Sequence, residues 1–62
     1  METTDLRALS ILLIDDNANM RRVITTILKS AGVRTIHEAD DGLSALRIFQ
    51  TKEIDIIFTD LV

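Results

Sequence analysis

Three carboxylates follow apolar runs in this chain: Asp15 and Asp16 directly after Ile11-Leu12-Leu13-Ile14, and Asp60 directly after Ile56-Ile57-Phe58-Thr59. If the two runs are neighbouring parallel strands, their carboxyl ends share one edge of the sheet, where open α/β sheets bind their ligands. Three anions so placed repel one another, and a bound cation or a retained proton relieves the repulsion. A hard divalent ion with oxygen ligands, Mg²⁺ or Mn²⁺, suits such donors. Each acid also has a plainer reading: an acidic pair after a strand can cap a helix, and Asp60 alone can be a solvated loop residue.

The elements that must position these acids follow from periodicity. Residues 1–9 are polar and weakly patterned and read as a leader that packs lightly or frays. Ser10 to Ile14 is a continuous apolar run, the pattern of a central strand covered on both faces. From Ala18 the apolar residues Met20, Val23, Ile24, Ile27, Leu28 and Ala31 mark one face of a helix. Asn17 or Asp16 can cap its start, and Gly32 can end it in a left-handed conformation. Val33 to Ala39 suits a second strand near a sheet edge, and Asp40-Asp41-Gly42 supplies a turn and a further N-cap. Leu43, Ala45, Leu46, Ile48 and Phe49 predict a second amphipathic helix, and Ile54 to Thr59 a third strand. The order βαβαβ argues for a three-stranded parallel sheet with right-handed crossovers.

Composition excludes several classes of function. The chain has 62 residues, 47% of them hydrophobic and 27% charged, which is the balance of an ordinary globular domain. There is no cysteine, so disulfides and thiolate metal sites are absent and a cytoplasmic location is expected. The apolar runs are far shorter than the roughly 20 residues of a membrane span. The net charge is −3 and the bases are scattered, so direct nucleic-acid binding is disfavoured and Arg21-Arg22 reads as a solvated helix face. No glycine-rich phosphate loop follows the first strand, and no Ser, His and Asp set suggests acyl transfer. His37, with no second histidine, reads as a core or surface imidazole.

With these residues in view, the chain resembles the receiver domain of two-component response regulators over residues 10–62. The acidic pair in ILLIDDNANMRRVI, the segment EADDGLSAL and the closing IDIIFTDLV carry the resemblance. It implies a flavodoxin-like fold, of which this βαβαβ unit is the first half, with strand order 2-1-3 and one helix on each face. It further implies that Asp15 and Asp16 bind Mg²⁺ and that Asp60 is the phosphoacceptor. The partner would be a histidine kinase or phosphotransfer protein, and the chain itself is not expected to be an enzyme. A third protein ligand would come from Val62, through its backbone carbonyl or, at a true C-terminus, its carboxylate.

A whole receiver is about twice this long. The resemblance therefore implies a truncated receiver without the hydroxyl residue after the fourth strand and the lysine after the fifth. Neither Lys29 nor Lys52 follows a strand, so neither fills the lysine role. Such a chain is expected to keep the metal site without completing the switch. One helix, about 10 Å wide, covers roughly two strands spaced about 4.8 Å apart, which leaves the third strand partly bare. A homodimer through that strand is expected. The competing function, from another class, is a dimerising structural or interaction half-domain without phosphotransfer.

Overall fold

A computed structural model describes residues 5–59. Residues 1–4 of the expected leader, and Asp60 and Val62 of the expected site, lie outside the described residues. Three parallel strands, β1 (Ser10–Ile14), β2 (Thr35–Ala39) and β3 (Ile56–Thr59), form one sheet in the order β2-β1-β3. Helices α1 (Ala18–Ser30) and α2 (Gly42–Thr51) make the crossovers. The expected topology is thus present, with β1 in the centre. β2 and β3 each begin two residues later than their apolar patterns predicted, because Val33-Arg34 and Ile54-Asp55 approach the sheet as connecting chain.

Local chemistry explains the element boundaries. The side chain of Asn17 accepts the Met20 N–H at 3.0 Å and opens α1, so Asn17 and not Asp16 is the cap. The helix closes through Gly32, whose φ of +112° is left-handed backbone that glycine enters without a Cβ penalty. Asp41 caps α2 by accepting the Ser44 N–H at 2.7 Å. In the leader, Asp5 caps a single 3₁₀ turn, Leu6–Ala8, and Leu6 lies against Gly32.

Alternation along β1 divides the core between two layers. Leu12 points to the α2 side, where it packs with Ala39 and Ala45 and is bordered by Ile14, Ile48 and Ile54. Leu13 points to the α1 side, toward Met20, Ile24 and Phe58. Leu12 and Leu13 are each 1% exposed, and fully burying such a side chain contributes about 1.5–3 kcal/mol. Registers Leu12↔His37 and Leu12↔Ile57 set the two outer strands evenly about the centre. Among the described residues, no helix is long and apolar enough to cross a membrane.

Candidate metal centre

Asp15 leaves the end of β1 as a buried acid, only 5% exposed. Its N–H donates to the Ala39 carbonyl of β2 at 3.1 Å, so the strand pairing reaches the acid itself. Its Oδ1 accepts the Asn17 N–H at 2.8 Å, closing a tight turn into α1. Its Oδ2 is buried and has no hydrogen-bond partner among the described residues. A buried carboxylate oxygen without a partner is costly, and a hard cation is one of the few groups that can offset the cost. The donor chemistry therefore fits a divalent ion.

Asp16 follows as an exposed residue at the bend between β1 and α1. On β3, Thr59 pairs with Ile14. These two residues directly precede Asp60 and Asp15 in the sequence. Asp60 itself is outside the described residues, and within them no group of three His, Asp or Glu side chains is placed to hold a metal ion. Asp40 and Asp41 belong to the β2–α2 turn, as their glycine neighbour suggested: Asp41 caps α2, and Asp40 accepts the Ser44 hydroxyl at 3.5 Å. The Ser44 backbone N–H holds the Asp41 carboxyl below the usual carboxylate range.

Arg21 departs from the reading of Arg21-Arg22 as a solvated face. Arg22 is exposed, but the Arg21 side chain is only 19% exposed. Its Nη1 donates to the Asp15 carbonyl at 2.6 Å, and its Nε lies 3.4 Å from the Glu38 carboxylate on β2. Periodicity points to this pair in retrospect, since Arg21 falls one turn into α1 on the side that returns to the sheet. A second feature hidden from the sequence is Asp55, whose side chain accepts the Ser10 N–H and whose own N–H donates to the Ser10 carbonyl, both at 2.8 Å. This double bond pattern latches the start of β3 to the start of β1 and sets the register that brings Thr59 beside Ile14.

Comparison with known proteins bears on this corner directly. The chemotaxis protein CheY-3 of Vibrio cholerae is 37% identical over 60 residues, which cover 97% of this chain and 46% of the relative. The chemotaxis protein CheY of Pseudomonas aeruginosa is 38% identical over 52 residues, 84% of this chain and 42% of the relative. The chain thus spans less than half the length of these curated relatives. No solved structure gives a significant match. The family model for the response regulator receiver domain matches residues 11–62, from the first buried residue of β1 through the segment that follows β3. Receiver domains are signalling modules that work with histidine kinases or phosphotransfer proteins and typically bind Mg²⁺ through acidic residues. With that match laid over the acid corner at the end of β1, the chain belongs to the response regulator receiver domain family.

Proposed function

We propose that residues 10–62 carry the first half of a receiver's phosphoacceptor site. Asp15, Asp16 and Asp60 hold Mg²⁺ or Mn²⁺, with a main-chain oxygen of Val62 as a further ligand, and Asp60 accepts the phosphoryl group. The observation that carries this reading is the buried Oδ2 of Asp15 at the carboxyl end of the central strand, which has no hydrogen-bond partner among the described residues. A bound divalent ion would offset the crowding of carboxylates and the charge on the phosphoryl oxygens.

The protein's own part is placement. In the proposed transfer, a carboxylate oxygen of Asp60 attacks phosphorus, the new O–P bond gives an acyl phosphate, and the P–N bond of a phosphohistidine breaks. The imidazole nitrogen leaves with the bonding pair. The hydroxyl and lysine that complete the family's switch are not among these 62 residues, so this chain alone is proposed to bind the ion without switching. The test is incubation with Mg²⁺ and acetyl phosphate followed by intact mass measurement. One added phosphoryl group that disappears in Asp60→Asn supports phosphoacceptance, and no addition at any donor concentration contradicts it.

A second reading, self-association as a structural half-domain without phosphotransfer, draws on a different observation. Ile56, Ile57 and Phe58 are all exposed, and among the described residues β3 pairs on one side only, with β1. An unpaired apolar edge invites a second copy of the chain. The cytosol is the expected location in either case.

A further inference from the structure

We propose that Arg21 is the positioning residue of the acid corner: its guanidinium locks the β1–α1 turn so that Asp15 presents one carboxylate oxygen to a divalent cation. The inference rests on the reading of Asp15 as a cation ligand and extends it to a residue that touches neither the ion nor the phosphoryl group.

Both peptide groups of Asp15 are held from outside its own turn. Its N–H is bound to Ala39 of β2 at 3.1 Å and its C=O to Arg21 of α1 at 2.6 Å. With the backbone fixed on both sides and Oδ1 committed to the Asn17 N–H at 2.8 Å, Oδ2 is the atom left over. Arg21 reaches this carbonyl from the first full turn of α1 while its Nε faces Glu38 on β2 at 3.4 Å. One rigid fork therefore ties together the end of β1, the start of α1 and the neighbouring strand. A lysine, with a single compact ammonium group, cannot span both acceptors in the same way.

Electrostatics alone predicts the opposite effect. A positive charge beside a cation site repels the ion, so if the field dominated, removing Arg21 would tighten binding. Glu38 lies against the guanidinium and offsets that field, while the hydrogen bond to Asp15 remains. The sign of the affinity change thus separates positioning from repulsion. Groups that orient a metal ligand without touching the metal typically contribute about 10–100-fold in affinity.

The test is Mg²⁺ and Mn²⁺ titration calorimetry on the whole 62-residue chain and on Arg21→Ala, Arg21→Lys and Glu38→Gln. It is paired with amide hydrogen exchange at Asn17 in the ion-free protein. Arg21→Ala is expected to weaken cation binding about tenfold and to speed exchange at Asn17, because the turn that holds Oδ1 loosens. Arg21→Lys restores part of the affinity, and Glu38→Gln, which keeps the Arg21–Asp15 bond, changes it by about twofold or less. Equal or tighter binding in Arg21→Ala with unchanged exchange at Asn17 overturns the proposal. If Arg21→Ala does not fold by far-UV circular dichroism, Arg21→Lys carries the test, and wild-type affinity with wild-type exchange in that variant overturns it. Failure of the wild-type chain to bind either ion contradicts the cation reading itself, and exchange at Asn17 still decides whether Arg21 holds the turn.

Discussion

β1 and β3 are adjacent, parallel and built from nearly the same residues, Ile-Leu-Leu-Ile against Ile-Ile-Phe-Thr, yet they live in different solvents. Ile11, Leu12 and Leu13 are 1–3% exposed, whereas Ile56, Ile57 and Phe58 are 40–49% exposed. The difference comes from neighbours. β1 has a strand on each side and a helix over each face, while β3, among the described residues, has one strand and only borders the open clefts beneath the helices, Ile57 beside α2 and Phe58 beside α1. The chemistry follows the same divide. At the end of β1 every peptide group of Asp15 is bonded and a carboxylate can be held in a fixed direction; β3 contributes its register and an open apolar flank.

The sharpest way to break this comparison is to cut a four-carbon aliphatic side chain at paired positions of the two strands. Leu12→Ala should cost about 2–5 kcal/mol in urea unfolding, enough to unfold so small a domain. Ile57→Ala, at the paired position, should cost about 1 kcal/mol or less. Comparable losses would show that β3 is covered in solution as fully as β1. The next effect is on mass. If the open flank of β3 recruits a second copy, light scattering should report a dimer that Phe58→Lys reduces to a monomer. A folded wild-type monomer at micromolar concentration would remove that expectation.

Smaller effects test the caps that frame the acid corner. Asn17→Ala leaves the Met20 N–H without its acceptor and should cost about 1 kcal/mol in thermal or urea unfolding. Asp41 gives a pH signature. Its folded carboxyl titrates below the unfolded one because it accepts the Ser44 N–H, so its contribution to stability is present above the unfolded pKa. That contribution is lost as the pH falls through the folded value. The stability gap between wild type and Asp41→Ala should therefore be open at neutral pH and close in acid, and a gap independent of pH would show that the charged cap adds nothing.

The fold was legible because its signals are local and mutually consistent. The unbroken run Ile11 to Ile14 marks a doubly covered strand, the spacing from Met20 to Ala31 marks a helix, and the short connections permit one topology. The candidate site was legible only where the chain itself brings residues together, as at Asp15-Asp16. What joins distant segments was not. Arg21 is indistinguishable from Arg22 until α1 is laid beside β2, where one guanidinium meets Asp15 and Glu38 and the other meets water. Asp55 reads as a polar interruption in an apolar strand, yet it is the residue that latches β3 to Ser10. The half exposure of Ile57 and Phe58 was legible too, because one helix per face is too narrow to cover all three strands.

Paramagnetic broadening by Mn²⁺, followed residue by residue in the amide spectrum, tests the central claim that the end of β1 is a cation site. The expected result is that signals of Asp15, Asp16 and Asn17 broaden first and that Asp15→Asn abolishes the effect while the rest of the spectrum keeps its dispersion. Broadening centred on other acids, such as Asp5 or Asp55, or unchanged in Asp15→Asn, would contradict it.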